Sequence, residues 1–142
     1  MRKSILTIIA LWLTISAFAE QKDSTNFRAY LYNNEYEVYL QIDFYDESIK
    51  VPGQELYGTL PGYLGKKNNS FCWVITSARI RTPNYAVLEL INDYGSEDLT
   101  ASLTRKNDSI YVLRQLSGST IKVPKNSKWQ KIPTVLELKR RK

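Results

Sequence analysis

The chain has no histidine, one cysteine (Cys72) and one methionine, which is Met1. The missing imidazole excludes a Ser-His-Asp triad, a Cys-His dyad, a His-ligated zinc and a histidine pH switch. One cysteine excludes a disulfide within the chain. There is no P-loop and no Rossmann glycine pattern, so no cofactor is expected. Ser117-Gly118-Ser119 is no nucleophile elbow and reads as a turn. Glycine and proline are also few, six and five in 142 residues. Several of them crowd into one stretch: Pro52, Gly53, Gly58, Pro61, Gly62 and Gly65. That stretch is read as a long loop holding at most a short strand around residues 57–60.

What remains is an ordinary globular composition, 43% apolar and 24% charged, of a length that suits one domain. The first residues are an address. Arg2 and Lys3 form a positive start, residues 5–18 are mostly apolar, and Ala17-Phe18-Ala19 is a small-x-small site before Glu20. This is the pattern of a cleavable secretory signal. The apolar run is shorter than the ~20 residues of a spanning helix, and Thr7, Thr14 and Ser16 interrupt it. The chain therefore divides into a signal peptide (1–19), a short lead (20–26), one β domain (27–139) and a basic tail (140–142). No stable membrane span is expected after cleavage. The expected location is the periplasm or the outside of a Gram-negative-type cell, after Sec export.

No helical period persists beyond the signal, whereas short alternating runs do. Phe27, Ala29 and Leu31 alternate with Arg28, Tyr30 and Tyr32. Tyr36, Val38, Leu40, Ile42 and Phe44 alternate with Glu35, Glu37, Tyr39, Gln41, Asp43 and Tyr45. A two-residue turn at Asn33-Asn34 predicts the pairs Leu31–Tyr36, Ala29–Val38 and Phe27–Leu40, with apolar faces matched. A second hairpin joins 71–81 to 85–92 through Thr82-Pro83-Asn84, with Asn84 left-handed. It predicts Ile80–Ala86, Ala78–Leu88 and Thr76–Leu90. Leu90, Leu88 and Ala86 then meet Leu99, Ala101 and Leu103. Further strands are expected at 109–116 and 134–139. The fold class is all-β, an antiparallel up-and-down meander of about seven or eight strands, closed as a barrel or stacked as a sandwich.

Size, export signal and meander together resemble the small exported lipocalin-like β-barrels of bacteria. The likeness covers Phe27 to Lys139 and is one of architecture. The Gly-x-Trp near the first strand of true lipocalins is absent. The resemblance implies a barrel that binds something and supplies no site residues.

Candidate binding residues come from the alternation itself. Arg28, Tyr30, Tyr32, Tyr39 and Tyr45 share one face among charges, and tyrosine combines large area with a hydroxyl. Trp73 lies with Phe71 and Ile75 opposite Cys72 and Val74, so both faces of that strand are apolar. The outer one is either covered by the 52–69 segment or open to a partner. Cys72 itself reads as a buried small hydrophobe. Arg114 has two registers open to it. A two-residue turn at Asn107-Asp108 pairs Ala101 with Arg114 and points the guanidinium into the barrel as a ligand anchor. A loop longer by one pairs Leu103 with Leu113, turns Tyr111 and Leu113 inward and leaves Arg114 in water.

Charge is uneven: residues 20–60 hold eight acidic and three basic side chains, residues 114–142 nine basic and one acidic. The tail 139–142 reads as a solvated terminus. Nucleic acid is not an expected partner, because export and the acidic first half argue against it. The carboxylate groups Asp43/Asp46/Glu47 and Asp93/Glu97/Asp98 lie at strand ends, where such side chains simply face water. No metal site is expected. The reading that results is an exported, non-enzymatic binding protein, taking a small or extended ligand in the barrel mouth or on the tyrosine face. The alternative is an inhibitor or immunity-type module that caps a secreted enzyme or toxin, and the third reading is a carboxylate hydrolase that needs no histidine. N-terminal sequencing of the exported protein is expected to begin at Glu20 or its cyclised form. A mature chain that keeps Trp12 would overturn the signal assignment.

Overall fold

The computed structural model describes residues 25–142. The expected signal peptide (1–19) and lead residues 20–24 lie outside the described residues. Twelve strands follow in order: β1 (Arg28–Asn33), β2 (Val38–Asp43), β3 (Ile49–Lys50), β4 (Thr59–Leu60), β5 (Gly62–Lys66), β6 (Asn69–Thr82), β7 (Tyr85–Asn92), β8 (Asp98–Arg105), β9 (Ile110–Gly118), β10 (Lys122–Lys125), β11 (Lys128–Lys131) and β12 (Val135–Arg140). Eight of them, β1, β2, β5, β6, β7, β8, β9 and β12, form a closed barrel. Each pairs antiparallel with the next in the chain, and β12 closes on β1. Of the two architectures open to the sequence, the barrel is the one formed.

Alternation fills this barrel. Leu31, Leu40, Leu64, Trp73, Ile75, Leu88, Leu103, Tyr111, Leu113 and Leu138 are buried in one cluster. Eight strands leave an interior just wide enough for such side chains. The outer positions Arg79, Glu89, Arg114, Glu137 and Lys139 are exposed. Apolar inside and charged outside is the reverse of a membrane-spanning barrel. Among the described residues, no helix is long and apolar enough to cross a membrane.

The register of the β7–β8 hairpin is the expected one, with Ala86 opposite Leu103, Leu88 opposite Ala101 and Leu90 opposite Leu99. Two turns differ and a third takes the longer of the two registers left open, and their asparagines show why. At β1–β2 the pairs are Leu31–Leu40 and Ala29–Ile42 rather than Leu31–Tyr36 and Ala29–Val38. The Asn33 side-chain oxygen accepts the Tyr36 N–H at 2.9 Å, and the positive φ of 54° falls on Glu37. Asn33 thus caps a longer turn instead of entering a two-residue one. The shift is four residues, an even number, so every side chain keeps its expected face.

At β8–β9 the Asn107 side-chain oxygen accepts the N–H groups of Ser109 and Ile110, each at 2.9 Å. That cap adds one residue to the loop, and Leu103 pairs with Leu113. At β6–β7 the turn is the two residues Pro83-Asn84, and Thr82 pairs with Tyr85. Asn84 is not left-handed; its carbonyl instead accepts the Arg105 N–H at 2.8 Å.

A bulge between Ile75 and Ser77 puts Ile75, not Thr76, opposite Leu90, while Ile80–Ala86 and Ala78–Leu88 stand as expected. The bulge has a use. Trp73 and Ile75 occupy odd positions and Ala78 an even one, so one extra residue lets all three pack on the core, while Ile80 beyond them is exposed.

Two segments lie outside the meander. Residues 44–61 form a strap that carries β3, one turn of 3₁₀ helix (Glu55–Tyr57) and β4. Its Val51, Ile49 and Leu60 pack on Tyr63, Cys72 and Val74, and so cover the outer apolar face of β6. The hairpin β10–β11 turns at Asn126-Ser127, with φ of 52° and 65°. Positive φ at both central residues is what a type I′ turn requires. Its flanking Ile121, Val123 and Ile132 are buried in the main core and stopper one end of the barrel.

Barrel strand β5 falls inside the stretch read as loop. Its glycines belong to the strand. A Cβ on Gly62 would stand 2.3 Å from the Gln41 carbonyl oxygen, and one on Gly65 2.4 Å from the Tyr39 ring. Gly62→Ala is expected to cost on the order of 3 kcal/mol in urea unfolding, because the clash is with neighbouring backbone. A loss under about 1 kcal/mol would mean the strands can part here without harm.

Candidate functional site

The tyrosine face forms on β1, β2 and β5. Tyr30 and Tyr32 on β1 flank the outer side of the β1–β2 pair, and Tyr32 lies directly opposite Tyr39. The Tyr30 and Tyr39 rings stack at 5.3 Å between centroids and 13° between planes. Tyr63 of β5 meets Tyr39 edge-on at 5.8 Å and 79°. Tyr39 can cross β5 because Gly65 has no side chain there. The Arg141 guanidinium stands 3.9 Å from the Tyr30 ring centre, and the Arg141 N–H donates to the Tyr30 carbonyl. This face-on placement is a cation–π contact.

These groups line an open cavity of about 600 Å³, with Asn33, Asn34, Glu37, Gln41, Lys67 and Asn68 around it. A second cavity of about 280 Å³ shares Tyr39 and Tyr63 and continues past Gly65 toward Phe71. Burial, reinforced by Tyr39 and offset in part by Arg141, raises the Tyr30 pKa. Burial, with a hydrogen bond and charge interaction from Tyr39, raises that of Tyr63 further. Both phenols therefore remain neutral donors at physiological pH.

Of the expected site residues, Tyr30, Tyr32 and Tyr39 come together. Tyr39 is also half structural, packed against the cluster under the strap. Arg28 lies at the other end of β1. Its guanidinium faces Asp43 at 3.4 Å and Asp46 at 2.8 Å, and lies 5.5 Å from the Tyr45 ring centre. Tyr45 departs from the tyrosine face: β2 ends at Asp43, and the Tyr45 ring turns onto the main core, where its hydroxyl accepts the Phe27 N–H at 3.0 Å.

Trp73 is fully buried, and its indole N–H donates to the Lys122 carbonyl at 3.0 Å, so it packs rather than binds. Arg114 pairs with Ser102 and is exposed on the outer surface. The lumen-anchor register is overturned, because the Asn107 cap places Gln115, not Arg114, opposite Ala101. The Gln115 amide is satisfied there, accepting the Ile121 N–H at 2.8 Å and donating to the Pro133 carbonyl at 3.2 Å. An unpaired guanidinium in that place would be costly.

Sequence reasoning missed Tyr63, Lys67, Asn68 and Arg141. Tyr63 was hidden by its flanking glycines. Arg141 belongs to the tail read as a solvated terminus, but β12 runs two residues into that tail, through Lys139 and Arg140, and closure on β1 brings Arg141 to Tyr30.

The carboxylate groups are engaged in the framework. Burial alone would raise the Asp43 pKa. Hydrogen bonds from Ser48 and from the Asp46 and Tyr45 N–H groups, with Arg28, more than reverse this and hold it below the ordinary value. A general acid needs the opposite shift. Glu97 faces Lys122 at 3.7 Å, and Asp93 accepts from the Gln54 amide. Among the described residues, no group of three acidic, Cys or His side chains could hold a metal ion.

Comparison of the chain with protein-family models, with curated proteins and with solved structures found no match in any of the three.

Burial, with Asp93 nearby, pushes the Cys72 thiol up to about 11. The thiolate is the reactive form. Alkylation of Cys72 at pH 8 is therefore expected to run at least about a hundredfold slower in the folded protein than in the urea-unfolded chain, and to accelerate as the pH rises toward that value. Equal rates in the two states would show the thiol to be open to solvent.

Proposed function

We propose that this protein is an exported, non-enzymatic binding protein whose ligand lies along the tyrosine-lined groove of β1, β2 and β5. The observation that carries the reading is the pairing of a filled barrel with this outer groove. Buried side chains occupy the interior, whereas Tyr30, Tyr32, Tyr39 and Tyr63 line about 600 Å³ of accessible space. A volume of that order is typical of ligand sites. Four phenols supply apolar area and hydroxyls together, and Arg141, Lys67 and Glu37 at the rim supply charge of both signs. The continuation past Gly65 favours an extended ligand over a compact one.

A protein ligand is the second reading. A barrel without a lumen meets its target through outer surfaces, as an inhibitor or immunity-type module of a secreted enzyme or toxin does. The tip of the strap favours it, for Leu56 is wholly exposed and Tyr57 half exposed.

The two readings separate in one experiment. The mature chain is used as bait in extracts of its own cell envelope, and captured proteins and small molecules are identified by mass spectrometry. The double variant Tyr30→Ser, Tyr32→Ser is expected to keep the β-sheet circular dichroism signal and to lose most of the captured ligand. Undiminished capture by the folded variant would overturn the groove assignment. Loss of capture on Leu56→Ser, Tyr57→Ser instead would favour the protein-binding reading.

A further inference from the structure

A second aromatic group lies apart from the tyrosine groove, at the barrel end stoppered by β10–β11. Phe71, at the start of β6, is nearly buried and forms a floor. Trp129 of β11 meets it edge-on, 5.0 Å between centroids at 70°. Tyr94, from the β7–β8 turn, lies 5.9 Å away at 48°. The two flanking rings are open to solvent, Trp129 at 54% and Tyr94 at 73%. The core does not need them, since Ile121, Val123 and Ile132 anchor the hairpin segment and the Trp73 indole ties it to the Lys122 carbonyl. Two cavities, of about 310 and 350 Å³, share these three rings.

The charges around the cleft decide what it suits. Glu97 and Lys122 line the first cavity, Asp93 and Lys128 the second. Each cavity thus holds one side chain of each sign. The lysine in each would repel a cation brought to the rings and the carboxylate would repel an anion, so a charged ligand would call for a net field of the opposite sign. No such field is present. Instead, aromatic surface adjoins hydrogen-bond donors and acceptors, including the exposed Ser96 hydroxyl, while the buried Asn92 amide holds the turn that carries them. A sugar ring is the complement of that arrangement. Its axial C–H groups present an apolar face to the negative π-surface, and its hydroxyl edge both donates and accepts. Adjoining cavities with common walls suit consecutive rings of a chain.

We propose that the Phe71–Tyr94–Trp129 cleft binds a neutral oligosaccharide, stacked on Trp129 and Tyr94 and hydrogen-bonded through Glu97, Ser96 and Lys122. The cleft shares no residue with the main tyrosine cavity and adjoins only its continuation past Gly65, at Asn69, Ser70, Phe71 and Asp93, so it stands whether or not the tyrosines bind a ligand.

The test titrates the mature chain with neutral hexasaccharides of glucose, mannose, xylose and N-acetylglucosamine. Binding is followed by tryptophan fluorescence and isothermal titration calorimetry, with tetramethylammonium and sulfate as charged probes. At least one hexasaccharide is expected to bind and to shift the emission of Trp129, the exposed one of the two described tryptophans. Trp129→Ala and Tyr94→Ala are each expected to raise its Kd by about tenfold or more, and Trp129→Phe to restore part of the affinity. Tyr30→Ser, Tyr32→Ser is expected to leave it unchanged. The proposal is overturned if no hexasaccharide binds at millimolar concentration, if binding survives both alanine variants, or if a charged probe occupies the cleft instead. Should Trp129→Ala unfold, Tyr94→Ala carries the test, because that ring is three-quarters exposed and packs on Phe71 alone among the described aromatic pairs.

Discussion

Closure of eight strands on themselves is the constraint from which the rest of this structure follows. A barrel of that size has an inside just wide enough for its own side chains. Each inward position must therefore be apolar or fully hydrogen-bonded. Phe27 stacked on Phe44, with Tyr111 edge-on to it, fills one end. The Tyr111 hydroxyl, buried with them, donates to the Asn26 carbonyl. The bulge at Thr76 and the inward, fully paired Gln115 answer the same demand. Without closure, the bulge would bring no advantage and Arg114 could have faced either way.

Closure also sends recognition outward. With the interior filled, surface for a ligand can form only on the outer faces and at the ends, where segments outside the meander add walls. The strap covers β6 on one side, and the β10–β11 hairpin stoppers the end beside Phe71. Between them Gly65 lets the Tyr39 ring lie across β5, so a residue with no side chain shapes the groove. Glycine here weakens the strand but admits the aromatic, a trade that sheets make where rings must cross a neighbouring strand.

Closure joins the two charge-biased parts of the chain as well. The acidic first part and the basic last part are far apart in sequence, yet β1 and β12 are neighbours. The Arg140 guanidinium donates to the carbonyls of Thr25 and Arg28, and Arg141 covers Tyr30. Lys122 of the basic part meets Glu97. Of the tail read as solvated, Arg140 and Arg141 are held by contacts on the barrel, whereas Lys139 and Lys142 are exposed.

Much of this was legible in the residues. The alternating pattern marked seven of the eight barrel strands, because burial on one side imposes that period whatever the partner. Even the four-residue register error at Asn33 left the faces intact, since only odd shifts exchange them. Tyr30, Tyr32 and Tyr39 could be grouped for the same reason. Three things were decided only in the folded molecule. Asparagine carries two local options, a left-handed residue or a side-chain cap, and Asn33, Asn84 and Asn107 took neither role uniformly because the rest of the sheet sets the register. The Gly62 and Gly65 strand was hidden because its cause, the approach of Gln41 and Tyr39, lies some twenty residues away. The places of the two described tryptophans were also settled at tertiary distance. Trp73, read as a binding candidate, is buried with its indole N–H bonded to the Lys122 carbonyl, while Trp129, on a hairpin whose Asn126-Ser127 turn signal passed unread, is open to solvent. Alternation is a local property that the sequence alone determines, whereas partner choice between distant segments is settled only when the barrel closes.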